Sequence, residues 1–292
     1  MDMNMKKLFT LAAVPALLLS LTACGGKKEA PKPAGSDAPA ASAPAADAPK
    51  PINEDVKKIV ANEYKDFDEK NQCWVVKSGA DSYCLAPNTT SKYTLFKDGN
   101  KTKIDYVILQ SKGKLVKGEL NEKADGGIAV VAVDKDGQVV AKLPFTKEWR
   151  SSQNEHDSHQ VMNTPLGQGI AGISVRETVT IEWPVEKPGE HHDDWRRAAY
   201  DVTKLYAFDG SSVKQVAKVR TRFTDSKIPY HVSAPMMSNG PVDPDTGYKG
   251  LTFKVNAAHK AEAFNNKTYE AKYNAAKKQY EVPAELRKAM KE

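Results

Sequence analysis

The chain has few of the residues and motifs from which common enzyme active sites are built. It contains three cysteines and six histidines in 292 residues. It has no Gly-x-Ser-x-Gly elbow and no helical His-Glu-x-x-His. These absences remove two common signatures of hydrolases. A carboxylate pair assembled by folding stays open, because Asp and Glu together number 37.

The chain also has little excess charge. Lys and Arg number 43, which gives a formal net charge of +6. The charges are dispersed, and no basic stripe alternates with aromatic residues. Nucleic acid is therefore not an expected partner.

The one long apolar run lies at the start of the chain. Leu8 to Leu21 follows Lys6 and Lys7, and it is shorter than the roughly 20 apolar residues of a membrane-spanning helix. The run ends in Leu21-Thr22-Ala23-Cys24, preceded by a basic and an apolar region in that order. This order resembles the signal peptide and lipobox of bacterial lipoproteins.

The resemblance implies a signal peptide over residues 1–23 and a Cys24 that carries acyl chains, so that the membrane is a partner through the lipid. Gly25 and Gly26 follow in place of the Asp that retains such proteins at the inner membrane, which favours the outer membrane. Whether the body faces the periplasm or the cell surface stays open. The alternative is an ordinary secretory signal with a coincidental cysteine.

Residues 24–52 form the second segment, rich in Pro and Ala, as in Ala38-Pro39-Ala40-Ala41. Such a composition lacks the large apolar residues that offset the entropy of ordering, and it predicts a disordered tether.

Residues 53–292 are predicted to form a mainly β body, sandwich-like or barrel-like and antiparallel, as one domain or two subdomains. A short amphipathic helix is expected over Asn53 to Phe67, with Asn53 as N-cap, and a short final helix after Pro283. Asp98-Gly99, Asp136-Gly137 and Asp209-Gly210 predict hairpin turns. The strands are expected at residues 93–97, 104–109, 128–133, 139–143, 173–183, 203–208, 213–223, 251–255, 269–273 and 279–282.

Cys73 and Cys84 remain once Cys24 is lipidated, and they are predicted to form a disulfide. Two β-prone runs flank Ser78-Gly79-Ala80-Asp81, so the bond would join the strands of a hairpin. A redox-active pair and a zinc site are alternatives. The spacing is far from Cys-x-x-Cys, and no second cysteine pair completes a zinc site.

Four of the six histidines fall in two acidic clusters, with His156 and His159 in one and His191 and His192 in the other. Imidazole beside carboxylate suits zinc or copper, so these four are candidate metal ligands if their loops meet. The alternative is two solvated polar loops, and no cofactor is then expected.

The tryptophans divide into two pairs. Trp74 and Trp183 lie in apolar runs and are expected in the core, whereas Trp149 and Trp195 lie among charged residues and are candidates for an exposed binding face. Gly167 to Gly172 matches Gly-x-Gly-x-x-Gly, but β-prone residues follow it, so it is interpreted as a strand bend.

The sequence thus predicts an outer-membrane lipoprotein that acts by binding, as an accessory protein of the envelope whose partner is an envelope protein, a glycan or a host factor. Two alternatives are a metal-binding lipoprotein that uses the four histidines and an unrecognised cell-envelope hydrolase.

Overall fold

The computed structural model describes residues 51–89, 91–151, 157–184 and 195–292. Within these residues the chain is mainly β, every strand pair is antiparallel, and two short α-helices flank the strands. This confirms the predicted fold class. The elements of the first half are α1 (Glu54–Ala61), β1 (Phe67–Asp68), β2 (Cys73–Ser78), β3 (Asp81–Pro87), β4 (Tyr93–Lys97), β5 (Thr102–Val116), β6 (Glu119–Asn121), β7 (Gly126–Val133) and β8 (Val139–Trp149). Those of the second half are β9 (Ser158–Gly167), β10 (Ile170–Pro184), β11 (Trp195–Phe208), β12 (Val213–Asp225), β13 (Tyr230–Ser233), β14 (Met236–Met237), β15 (Leu251–Lys254), β16 (Asn256–His259), β17 (Thr268–Asn274), β18 (Gln279–Glu281) and α2 (Ala284–Ala289).

The strands form three sheets. The first has the order β1-β2-β3-β5-β7-β8, with β4 and β6 also paired to β5. The second has the order β16-β13-β12-β11-β10-β9, and the third has the order β14-β15-β17-β18.

Three cores separate these layers. Helix α1 covers one face of the first sheet, the second sheet covers the other face, and the third sheet with α2 covers the far face of the second. Strand β7 shows how the sequence specifies this: Ile128, Val130 and Ala132 face the second sheet, whereas their neighbours face α1. A strand buried on both faces is apolar throughout, because successive side chains point to opposite sides.

Local signals placed the start of α1 and the turns correctly, but α1 ends at Ala61, six residues before its predicted end at Phe67, which begins β1. The side chain of Asn53 accepts a hydrogen bond from the backbone N–H of Asp55 (2.8 Å) at the start of α1, as expected of an N-cap. Pro283 directly precedes α2, one position earlier than a first helical residue. The three Asp-Gly turns join β4 to β5, β7 to β8 and β11 to β12. No helix among the described residues has the length and hydropathy to cross a membrane.

The structure differs from the sequence-based prediction mainly in strand length and number. Strands β5, β8, β10 and β11 run several residues beyond their predicted bounds. The structure also contains strands that were not predicted: β1, β6, β9, β13, β14 and β16. Strand β9 contains Asn163 and Pro165 and no continuous apolar run, so its strand conformation comes from pairing with β10.

Candidate functional site

An open cleft of about 840 Å³ lies where the first sheet ends on the face of the second. Its floor is formed by side chains of β9 to β12, and its wall by the end of β8 and the residues around it. The lining residues are Asp125, Lys147, Glu148, Trp149, Arg150, Ser151, Asp157, Ser158, His159, Glu177, Thr178, Val179, Thr180, Tyr200, Val202, Lys204 and Lys218.

The floor exists because β10 and β11 are longer than the sheet that covers them. In their register Ile173 lies opposite Tyr206, and both side chains are buried against the first sheet. Further along the same face Glu177 lies opposite Val202, and Val179 opposite Tyr200. These residues share the face by the two-residue period of a strand, but they line the cleft and are not in the core.

A buried ion pair closes the inner end of the cleft. The carboxylate of Glu148, whose side chain is 2% exposed, lies with Oε2 at 2.9 Å from Lys204 Nζ. Its Oε1 accepts a hydrogen bond from the Tyr206 hydroxyl. The Lys204 ammonium also donates to the Glu148 carbonyl oxygen (3.2 Å). Among the described residues, Oε1 is therefore hydrogen-bonded, whereas Oε2 is held by the Lys204 charge alone and has no hydrogen-bond partner.

Trp149 and His159 stack beside this pair, with ring centroids 4.0 Å apart and an interplanar angle of 5°. Burial lowers the pKa of the His159 imidazole, so the ring is neutral at pH 7. Trp149 is 6% exposed, so the expectation of an exposed indole was wrong. The ring lies directly against Gly126, where a Cβ would be 2.2 Å from Trp149 Nε1, and only glycine fits there.

The remaining carboxylates fix the walls by accepting backbone hydrogen bonds. Glu177 Oε1 accepts from the N–H of Arg150 (3.1 Å), and Asp157 Oδ1 accepts from the N–H of Thr180 (2.7 Å). Asp125 Oδ1 accepts a hydrogen bond from the backbone N–H of Ser151. Among the described residues that line the cleft, carboxylates and Lys or Arg side chains are equal in number, four of each, which suits a polar ligand more than a strongly charged one.

Of the four histidines predicted as metal ligands, only His159 lies in the described part of the chain, in β9. His156, His191 and His192 lie outside it, so their meeting stays a prediction. Over the residues with described positions, no group of three or more His, Cys, Asp or Glu side chains is arranged to hold a metal ion.

The other predicted sites have separate outcomes. Cys24 lies outside the described residues, as do the side chains of Trp183 and Trp195. Trp74 is in the core, 2% exposed. Cys73 and Cys84 form the predicted disulfide across the β2–β3 hairpin, and both are completely buried, which leaves no access for a redox partner.

The Gly-x-Gly-x-x-Gly segment and the segment from Asp243 to Gly247 are both turns. Gly167 and Gly169 belong to the β9–β10 hairpin, and the chain continues as a strand where a nucleotide-binding fold would have a helix. The Oδ1 atom of Asp243 accepts hydrogen bonds from the backbone N–H groups of Asp245 (2.8 Å) and Thr246 (3.2 Å). These bonds hold the turn, as Asp side chains commonly do.

Sequence reasoning missed Glu148, Lys204 and Tyr200 as cleft residues. One signal was present in the alternation of β11, which places Lys204 on the same face as the buried Tyr206. Val202 and Tyr200 follow on that face. The partner of Lys204 could not be found in this way, because Glu148 is 56 residues away in sequence and on another sheet.

The arrangement offers an aromatic and apolar floor, charged walls and hydrogen-bonding groups, the usual composition of a ligand site. No protein-family model matches the chain, and neither a curated protein nor a solved structure shows significant similarity to it.

Proposed function

We propose that this protein is a lipid-anchored envelope protein whose β body binds a glycan in the cleft. The order of the signal region, ending in Cys24, supports the anchor, and the Pro- and Ala-rich segment over residues 24–52 supports a tether that holds the body away from the outer membrane.

The observation that carries the binding role is the uncovered floor of the second sheet. Val202 and the Tyr200 ring contribute apolar and aromatic surface there, although the Arg220 guanidinium lies 4.9 Å from the Tyr200 ring centroid, and the His159 imidazole lies in the same cleft. Sugar rings combine apolar faces with hydroxyl groups, so they match a floor of this kind bordered by carboxylates and amines. The balanced charge of the walls favours a glycan without strong net charge.

A calorimetric titration of the full-length protein in detergent with a chitin tetrasaccharide tests the binding role. We expect saturable binding that Tyr200→Ala abolishes. Tyr269→Ala is the matched control, because Tyr269 is a half-buried tyrosine on β17, outside the cleft. Binding that survives Tyr200→Ala unchanged would assign the glycan to another surface.

The anchor is tested separately in cells. Wild-type protein should incorporate labelled palmitate and sediment with the outer membrane, and Cys24→Ala should lose both properties. Label on the Cys24→Ala protein, or an unmodified wild-type chain, would refute the anchor without affecting the glycan assignment.

A further inference from the structure

The edge strands of the described sheets differ in how they are protected from pairing with another chain. Edge strands expose unpaired backbone groups, and natural proteins protect them by shortness, prolines, charges or bulges. The edge strands β1, β14, β16 and β18, and also β4 and β6, have at most five residues. Strand β8 is long but contains Pro144, Lys142 and Lys147, and its register with β7 shifts three times.

Strand β9 has none of these protections over most of its length. It has ten residues at the edge of the second sheet. Residues Ser158 to Thr164 include no Lys, Arg, Asp or Glu, and they pair with β10 without a register shift. No described strand pairs with their outer edge.

The chain itself covers the other end of this edge. The Ser238 hydroxyl donates to the Pro165 carbonyl oxygen (2.7 Å), and the N–H of Lys249 donates to the Leu166 carbonyl oxygen (2.6 Å). Gly167 forms a β-bridge with Tyr248. The outer edge of β9 therefore already binds the segment of residues 238–249 at its Pro165 end. The other seven residues, Ser158 to Thr164, have no described strand along that edge.

We propose that two copies of the chain pair antiparallel through Ser158 to Thr164, so that their six-stranded sheets form one sheet of twelve strands. The open stretch is centred on Val161, and a two-fold axis at this residue gives the longest ladder. Val161 then faces its own copy, Gln160 faces Met162, and His159 faces Asn163.

Charge and exposure favour a second copy as the occupant. Self-pairing places no like charges opposite each other, because His159 is the only titratable side chain in the stretch and burial keeps it neutral at pH 7. The axis brings valine against valine, and Met162, which is 41% exposed, gains a neighbour. The edge has no charged side chain that would select a foreign strand.

The pairing has a geometric consequence for the cleft. Residues opposite each other in an antiparallel pair point to the same side of the sheet, so both copies of His159 lie on one face. The two clefts then open side by side, which would let one extended ligand occupy both. The dimer itself does not depend on the proposed glycan ligand.

Cysteine cross-linking of the full-length protein in detergent tests the pairing. Under mild oxidation Val161→Cys should form a covalent dimer, because the two introduced thiols meet on the axis. Val140→Cys is the control: Val140 lies on the other long edge strand and is more exposed than the half-buried Val161, so random collisions would cross-link it at least as readily, and it should stay monomeric. Equal cross-linking of both variants, or of neither, would overturn the proposal. In cells, capture of a different protein by Val161→Cys would assign the edge to a foreign strand and also overturn it.

Sedimentation equilibrium in density-matched detergent supplies an independent measurement. We expect twice the monomer mass for the wild-type protein and for Val140→Lys, and the monomer mass for Met162→Lys, which places two ammonium groups beside the axis. A wild-type protein that sediments as a monomer at the concentration used for cross-linking would refute the dimer whatever the variants do.

Discussion

Replacing Lys204 by methionine should destabilise the protein by about 3 kcal/mol, because it leaves a buried carboxylate without its cation. The Glu148 side chain is 2% exposed, and its Oε2 lies 2.9 Å from the Lys204 ammonium. Removing one partner of a buried pair costs about 3 to 5 kcal/mol. Lys204 is 21% exposed and Tyr206 still donates to Glu148, so we expect the lower end of that range.

The assay is urea unfolding, followed by far-UV circular dichroism. The double variant Glu148→Gln/Lys204→Met removes both charges and should recover about 2 kcal/mol of the loss, because breaking a pair costs more than replacing it. Lys218→Met is the control: Lys218 lies directly opposite Lys204 on β12, is exposed, and should change stability by about 0.5 kcal/mol or less. A single-variant loss below about 1 kcal/mol would refute the reasoning, since it would mean that water screens the pair.

Three further predictions concern stability. Replacing Cys73 and Cys84 together by alanine should lower the free energy of unfolding by about 3 kcal/mol, the loop-entropy value for a separation of 11 residues, and a loss below about 1 kcal/mol in urea unfolding would contradict that estimate. Burial lowers the pKa of His159, so as pH falls the unfolded chain binds a proton at this imidazole before the folded chain does, and the free energy of unfolding should fall below about pH 6.5. His159→Gln should flatten that part of the stability profile, and an unchanged slope would be inconsistent with the argument. Burial raises the pKa of Tyr106 to about 12, so the stabilisation from its neutral hydroxyl is complete below pH ~10 and lost as pH rises toward 12. In absorbance titrations, the tyrosinate signal that Tyr106→Phe lacks should appear near pH ~12, and a signal near pH ~10 would contradict the argument. Tyr106→Phe should also be less sensitive to alkali.

Much of the fold could be predicted because its determinants are local. The N-cap at Asn53 and the Asp-Gly turns act over two to four residues, so the helix start and the hairpins follow from sequence. The disulfide was predictable for the same reason, since a hairpin fixes the distance between Cys73 and Cys84.

The cleft could not be predicted, because its residues meet through contacts between sheets. Glu148 and Lys204 lie in different hairpins, and their charges indicate solvent exposure when each is considered alone. Trp149 was misjudged for the same reason: its neighbours in sequence are charged, whereas its neighbours in space are Gly126 and His159.

The sequence by itself determined the β class, the turns, the disulfide and the expectation of a lipid anchor, because alternation, glycine at positive φ and residue order are properties of short segments. Only the tertiary structure decided which faces are buried and which edge stays open. Burial depends on how far one sheet extends over another. Strands β10 and β11 extend beyond the end of the first sheet, and no local sequence pattern predicts by how much.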